Sequence, residues 1–199
     1  MIRRHVCAVL VAITAVGLPP AFGQSVRRHA AQMPATGAIQ AAFSPWDDVE
    51  GMIVSALNAA RRQVLVQAYS FTSRPIAAAL IAARRRGVDV RITADREQAF
   101  NGDSSRIADL AAAGIPVLLE VRYASAHNKV MVIDPSLADS AVITGSYNWT
   151  WSAQNRNAEN ILVVRRNPEL TAMFSANWHR HAAQALPYES VREDALAPQ

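Results

Sequence analysis

Hydrophobic residues along the chain follow two spacings, one typical of amphipathic helices and one typical of strands. Helical spacing predicts one helix from Val49 to Ala60, capped by Asp47 or Asp48, and another from Ser73 to Arg86. Runs rich in Val, Ile and Leu predict strands at 39–43, 63–71, 88–94 and 115–121, and a third helix is predicted at 104–113.

Strands that alternate with helices of this length indicate βαβ units and parallel strands covered on both faces. After residue 121, turns replace helices between the strands. Three strand-like segments and a final amphipathic helix complete the pattern, at 127–134, 141–144, 160–164 and 168–183. The pattern therefore predicts an α/β fold with a mixed, largely parallel β-sheet flanked by helices on both faces.

The N-terminus has the three parts of a secretory signal peptide. Two arginines precede an apolar run over 6–18, and two prolines and the small-x-small site Ala21-Phe22-Gly23 follow it. The run is shorter than the roughly 20 apolar residues of a bilayer span, which disfavours the alternative of an uncleaved membrane anchor. We expect cleavage after Gly23, no stable membrane anchor, and a periplasmic or secreted protein. The expected divisions are a signal peptide 1–23, a flexible lead-in 24–38, a folded domain 39–185 and a polar tail 186–199.

Composition adds three constraints. The chain has 199 residues, of which 51% are hydrophobic, enough for one domain with a full core. Cys7 is the only cysteine and is removed with the signal peptide, so the mature chain has no disulfide. Removal of Arg3 and Arg4 lowers the net charge from +4 to +2 (+4 − 2 = +2). That mild excess is compatible with a polyanionic partner but does not demand one.

Polar residues at short spacing follow residue 121. His127 and Lys129 are two apart on a predicted strand, so both side chains project from one face. Ser146 and Asn148 repeat this spacing, and Asn155, Asn157, Glu159 and Asn160 come next. An imidazole, an ammonium, a hydroxyl, several amides and one carboxylate can bind and attack an anion. Magnesium and zinc sites need paired carboxylates or histidine clusters instead, so no metal and no other cofactor is expected.

These residues form a recognisable signature. His127-Asn128-Lys129, four residues, Asp134, and then Gly145-Ser146-Tyr147-Asn148 resemble the HxKx4D…GSxN pattern of the phospholipase D superfamily. The resemblance covers roughly residues 39–180 and extends to the stretches 68–72 and 86–90. It is strongest to small bacterial endonucleases that carry a single HKD motif and a signal peptide. It implies the phospholipase D-like fold for the catalytic domain 39–185.

The chain departs from the family pattern at one place. Ten residues, 135–144, separate the motif aspartate from Gly145, where the family usually has six. Pro135, Ser136, Asp139 and Ser140 are turn-forming residues, so we expect a lengthened hairpin loop that leaves both strand ends in place.

The resemblance implies roles for six residues in a metal-independent phosphodiesterase. His127 attacks phosphorus and forms a phosphohistidine, and Lys129, Ser146 and Asn148 bind the phosphate oxygens. Glu159 orients the nucleophilic imidazole. Asp134 belongs to the motif but is expected to have a structural or hydrogen-bonding part.

The same resemblance implies a homodimer. The family chemistry uses two histidines, and this chain has one motif, so His127 of the partner subunit must act as the general acid and base.

Several interpretations stay open. The favoured substrate is nucleic acid, DNA or RNA, cut without sequence preference; phospholipid head groups and a catalytically inactive nucleic-acid-binding protein are the alternatives. Packing in the core or a dimer interface is favoured over base stacking for Trp149 and Trp151. The run Arg84–Arg86 is expected to complement the helix dipole, and His179 and His181 are expected to be solvated.

Overall fold

The computed structural model describes residues 30, 32–102 and 104–196. The predicted signal peptide 1–23 and residues 24–29 and 31 of the predicted lead-in lie outside these residues. The chain divides into two units, Met1–Gln32 and Met33–Gln199, and everything below belongs to the second.

One eight-stranded sheet forms the centre of the fold, with the order β1-β7-β6-β5-β2-β3-β4-β8. The strands are β1 (Ala38–Ser44), β2 (Gln63–Ala68), β3 (Asp89–Asp95), β4 (Val117–Glu120), β5 (Lys129–Ile133), β6 (Ala141–Gly145), β7 (Glu159–Arg165) and β8 (Leu186–Pro187).

The mixed α/β fold is confirmed, but the largely parallel character of the sheet is wrong. Only the β2–β3 and β3–β4 pairs are parallel, and the other pairs are antiparallel. A parallel pair needs a long crossover connection, whereas the short loop 134–140 joins β5 to β6 and makes that pair antiparallel. The connection from β6 to β7, residues 146–158, contains α5, and this pair is antiparallel as well. β1 also joins the sheet at its edge beside β7, far from β2, which follows it in sequence.

Helices cover both faces of the sheet, as predicted. They are α1 (Val49–Asn58), α2 (Arg74–Arg85), α3 (Arg96–Ala99), α4 (Ile107–Ala112), α5 (Trp151–Asn155), α6 (Pro168–Ala182) and α7 (Tyr188–Leu196). Asp48, Ser73 and Asn167 cap the three long helices α1, α2 and α6 by accepting a backbone N–H with the side chain. The short helices α3 and α5 were not predicted, because four or five residues are too few to show a helical period.

Strand β2 is the centre of the core. Val64 and Val66 belong to the main cluster beneath α1, α2 and α4, whereas Leu65 belongs to a second cluster beneath α6. Two tryptophan side chains hydrogen-bond to the backbone of this strand. Trp149 Nε1 donates to Gln67 O at 3.0 Å and Trp178 Nε1 donates to Val66 O at 2.9 Å.

The predicted polar tail from residue 186 forms secondary structure over its described part, 186–196. β8 pairs with β4, and α7 begins at Tyr188, whose buried ring stacks on Phe100 at 5.6 Å between centroids. A single buried aromatic in a polar stretch leaves no hydrophobic period, so the sequence pattern did not show this contact.

Asp134 follows β5 at the end opposite to Lys129, roughly 15 Å away for a five-residue strand. Its buried carboxylate accepts backbone N–H groups from Arg61 at 2.9 Å, Arg62 at 2.6 Å and Gln63 at 2.9 Å. Its φ of 50° is a left-handed conformation that aspartate tolerates better than most residues. Asp134 therefore anchors the turn into β2 and does not belong with the catalytic residues among which the motif places it.

We predict that Asp134→Asn lowers the free energy of unfolding by about 1–3 kcal/mol, because an amide replaces a carboxylate that accepts three N–H groups. Urea denaturation measures the change. The matched control is Asp139→Asn, since Asp139 forms only an exposed ion pair with Arg61, and we expect a loss below about 1 kcal/mol there. Equal effects of the two substitutions would contradict the anchoring role.

Candidate active site

The polar residues of the motif lie together at one end of strands β5, β6 and β7. Lys129 begins β5 and pairs with Ala68 at the end of β2, whereas Gly145 ends β6 and pairs with Ile161 near the start of β7. Antiparallel pairing of β5 with β6 and of β6 with β7 brings these strand ends together. His127, Ser146 and Glu159 therefore lie at the same end of these strands. The lengthened loop 135–140 lies at the opposite end of the β5–β6 hairpin, as predicted.

Gly145 is required by the close approach of two backbones. A Cβ atom at this position would lie 2.2 Å from Asn160 O, so any larger residue would force β6 and β7 apart. The N–H groups of Ser146 and Tyr147 both donate to the same carbonyl, at 3.1 and 3.3 Å. The glycine of the motif thus sets the position of Ser146 against β7.

His127 and Lys129 are in direct contact. Lys129 is only 5% exposed, and its Nζ lies 2.9 Å from His127 O and 3.0 Å from His127 Nδ1. The ring of Tyr69 packs against both residues, with its centroid 4.7 Å from Nζ and 4.3 Å from the imidazole centroid. The imidazole itself is exposed, so a ligand can reach it. The ammonium is buried and is fixed by its contacts with Tyr69 and with His127 O.

Burial shifts the protonation equilibrium of Lys129. Desolvation lowers its pKa from 10.5 to about 8, and the nearby Glu159 carboxylate partly offsets this shift. Lys129 is also the only lysine in the chain, whose other basic residues outside histidine are arginines. The ammonium is therefore present at neutral pH and is lost just above it.

The contact between Lys129 and His127 decides the imidazole tautomer. A protonated lysine can only donate, so Nδ1 must accept and the ring proton of a neutral imidazole lies on Nε2. Attack through Nε2 requires the opposite tautomer. Lys129 must therefore leave Nδ1, for example toward a bound anion, before Nε2 becomes a nucleophile.

A second group of contacts surrounds Ser146. Its hydroxyl donates to Glu159 Oε2 at 2.6 Å and accepts from Asn160 N at 3.0 Å, while Asn157 Nδ2 donates to Glu159 Oε1 at 2.9 Å. Serine has one O–H, so an anion can receive it only by displacing Glu159. In this structure Glu159 accepts a hydrogen bond from Ser146. The role of Glu159 in orienting the imidazole stays a prediction.

Asn148 lies at the wall of a cavity of about 1180 Å³ beside the motif residues. Its Oδ1 atom is buried and has no hydrogen-bond partner among the described residues. Such an acceptor costs about 1–3 kcal/mol, so a ligand or a second copy of the chain is a natural source of its donor.

The two tryptophans after the motif have different environments. Trp149 is buried, and its backbone bridges to Phe71, so the expectation of core packing is confirmed for this residue. Trp151 is 52% exposed, and the Arg156 guanidinium lies 5.0 Å from its ring centroid.

Asp95 was missed by sequence reasoning. It is buried at the end of β3 and accepts the N–H of Ala126 at 2.9 Å, one residue before His127. It also caps α3 through Gln98 N at 3.0 Å. Asp95 therefore ties the loop that carries His127 to the sheet, a contact across 31 residues that no local pattern could show.

His181 corrects another expectation. Its Nδ1 lies 2.5 Å from Oε2 of the buried Glu120, and Tyr123 packs on its ring at 5.3 Å, so His181 is not merely solvated. His179 is exposed, as expected, with its ring edge-on to Trp178. The described residues contain no group of three metal-ligating side chains, and no helix among them is long and apolar enough to cross a bilayer.

Comparisons with known proteins converge on one family. The family described as "Cardiolipin synthase, PLD-like domain" matches residues 53–182. A Rickettsia bellii protein named "Phospholipase D" is 36% identical over 140 residues, which are 70% of this chain and 67% of that protein. The Xenopus laevis "Mitochondrial cardiolipin hydrolase" is 32% identical over 118 residues, 59% of this chain and 54% of its own length.

The solved structure of Nuc, a phospholipase D family member from Salmonella typhimurium, aligns with a TM-score of 0.71 and 33% identity. The alignment covers 77% of this chain and 99% of Nuc. The two chains therefore share one architecture over almost all of Nuc.

The unusual environment of Lys129 can be measured directly. Because it is the only lysine, selective ¹³C labelling gives a single Cε resonance, which reports the protonation of the attached ammonium. We predict a titration midpoint near 8. Glu159→Gln should lower the midpoint further, since the carboxylate favours the charged form. The control Glu169→Gln removes an exposed acid at the start of α6 and should leave the midpoint unchanged. A midpoint near the ordinary value of 10.5 would contradict the buried arrangement.

Proposed function

The chain belongs to the phospholipase D superfamily, and we propose that it is an endonuclease that hydrolyses DNA or RNA phosphodiesters through a covalent phosphohistidine at His127. The contact between an exposed imidazole and a buried ammonium is the observation that carries the proposal. This contact supports the proposal because an exposed imidazole next to a fixed positive charge is suited to attack an anionic phosphodiester.

The first step begins when a phosphate oxygen takes over the ammonium of Lys129. His127 is then released from that contact, and its exposed imidazole gives up the proton on Nε2 to solvent and takes one on Nδ1. The Nε2 atom then attacks phosphorus. The new P–N bond replaces the bond to the leaving oxygen, which takes a proton from His127 of the partner subunit. Ser146 and Asn148 donate to the remaining phosphate oxygens, and Glu159 holds the proton on Nδ1.

The second step reverses these roles. His127 of the partner subunit, now neutral, removes a proton from water, and the resulting hydroxide attacks phosphorus. The P–N bond breaks and His127 is restored. One imidazole thus forms the covalent intermediate and the other moves protons, so neither step requires a divalent ion.

Nucleic acid is the favoured substrate for two reasons. The motif resembles that of small single-motif endonucleases, and the structural match spans nearly the whole of Nuc. In addition, the cavity beside the motif carries Arg74 and Arg106 together with an exposed Trp151, a combination that suits a strand of phosphates and bases.

Phospholipid head-group hydrolysis is the second candidate function. It is favoured by the names of the Rickettsia and Xenopus relatives, a phospholipase D and a cardiolipin hydrolase. The chemistry at phosphorus would be the same, because His127 and Lys129 engage the diester and not the groups on either side of it.

The proposed homodimer supplies the second imidazole, and the sheet offers a surface for it. Leu162 in β7 pairs with Ala41 in β1, and both side chains lie on the α6 side of the sheet. On that side, helix α6 covers only the central strands. Ile39, Phe43 and Leu162 are 61%, 50% and 42% exposed there. Phe43 pairs with Asn160, which contacts Ser146, so this apolar face runs up to the motif.

The proposed site of action is the periplasm or the exterior of the cell. It rests on the signal-like pattern of residues 1–23. N-terminal sequencing of the protein recovered from a secreting host should begin at Gln24. Recovery of an intact N-terminus in the membrane fraction would contradict this location.

We predict that the mature protein nicks plasmid DNA and cuts RNA in excess EDTA. His127→Asn should lower the rate by about 10³-fold or more, because it removes the nucleophile, whereas the exposed His179→Asn should cut like the parent. Loss of cutting in chelator, or full activity of His127→Asn, would contradict the mechanism. Release of head groups from phosphatidylcholine or cardiolipin vesicles without any nucleic-acid cleavage would favour the second candidate function.

We also predict that Leu162→Glu yields a folded monomer with at least about 100-fold less activity, because the general acid and base comes from the second copy. Light scattering after size exclusion gives the mass, and circular dichroism checks the fold. Met173→Glu changes another exposed apolar residue, on α6, and should leave the dimer intact. A monomer with full activity would rule out the shared site.

A further inference from the structure

A large cavity lies beside the motif residues, and apart from Asn148 its lining residues have no part in the two chemical steps. Its volume is about 1180 Å³, and it shares Asn148 with the proposed active site. The start of α2 forms one wall, and the start of α5 forms another. A ligand bound at the motif and longer than one phosphodiester could therefore extend into this cavity.

Trp151 gives the cavity an aromatic surface. It is the first residue of α5, and its backbone N–H donates to Thr72 Oγ1 at 3.3 Å, while the Thr150 side chain caps the helix through Ala153 N at 3.1 Å. The indole is 52% exposed although its backbone is held by these bonds. Stacking of a nucleobase on such a ring contributes about 1–3 kcal/mol.

The charge of the cavity suits a phosphate. Glu50 is the only acid among the described residues that line the cavity, and the Ser73 hydroxyl donates to Glu50 Oε2 at 2.5 Å. Arg106 is paired with Asp109 at 2.8 Å. Arg74 is exposed and forms no salt bridge with any described residue, so its guanidinium can bind an incoming anion.

We propose that this cavity is a subsite for an unpaired nucleotide next to the scissile phosphate, in which the base stacks on Trp151 and the following phosphate binds Arg74. The proposal rests on the proposed nuclease function and narrows its substrate. A base inside a duplex is already stacked on its neighbours and paired, so it cannot use Trp151. The enzyme therefore prefers single-stranded over double-stranded nucleic acid.

The first test compares kcat/KM on a single-stranded oligonucleotide and on its duplex. We expect the parent to prefer the single strand and Trp151→Ala to lower that preference about tenfold, the equivalent of about 1.4 kcal/mol of stacking. Trp151→Phe should retain most of the preference because it keeps an aromatic face. Trp46→Ala removes an 84% exposed tryptophan that does not line the cavity, and the preference should stay as in the parent.

The second test follows the salt dependence of binding to the single strand in the His127→Asn background, which prevents cutting. Arg74→Gln should reduce the slope of log K against log salt by about 0.7, one phosphate contact on a single strand. Arg85→Gln removes an exposed charge at the other end of α2 and should leave the slope unchanged.

The outcomes separate this proposal from the function on which it rests. A parent that cuts nucleic acid, with the same strand preference in Trp151→Ala, overturns the subsite alone. A parent that releases lipid head groups and cuts no nucleic acid overturns the nuclease function and the subsite together. A tenfold loss of strand preference in Trp151→Ala, with Trp46→Ala unchanged, supports the subsite.

Discussion

Antiparallel pairing of β5, β6 and β7 is the constraint on which the candidate site depends. This register sets the start of β5 beside the end of β6 and the start of β7, which brings His127, Ser146 and Glu159 to one edge. Side chains alternate along a strand, so a slip of one residue would turn Lys129 to the other face of the sheet. Gly145 admits no side chain against Asn160 O, so the spacing of β6 and β7 depends on that one residue.

Two of the three groups proposed to hold a phosphate already have partners within one chain. Lys129 donates to His127 and the Ser146 hydroxyl donates to Glu159, whereas the buried Oδ1 atom of Asn148 has no partner among the described residues. In the proposed mechanism a bound diester replaces these two contacts and so frees the imidazole nitrogen that the ammonium contacts. Binding of the diester and activation of His127 would then be coupled through Lys129, and the lowered pKa of this residue, about 8, would make the exchange sensitive to pH just above neutrality.

The sequence alone predicted the local features of the site and of the helix ends. Two-residue spacing and the motif predicted that His127, Lys129, Ser146 and Asn148 lie at strand ends. The sequence also predicted Ser73 as a helix cap and left the cap of α1 open between Asp47 and Asp48, of which the structure uses Asp48. The direction of most strand pairs was predicted incorrectly, because only β2, β3 and β4 are joined by the helical crossovers that produce parallel pairing. Tertiary contacts were beyond any local pattern: Tyr69 on His127, Asp95 beneath the same loop, and His181 on Glu120.

The proposed mechanism has two displacements at phosphorus in each turnover, one by His127 and one by water. Each displacement inverts the configuration at phosphorus, so two in succession retain it. Hydrolysis, in ¹⁸O-labelled water, of a phosphorothioate diester of known configuration tests this sequence of steps when the configuration of the product is assigned. We expect net retention. Net inversion would mean that water attacks the diester directly, and it would contradict a covalent intermediate on His127.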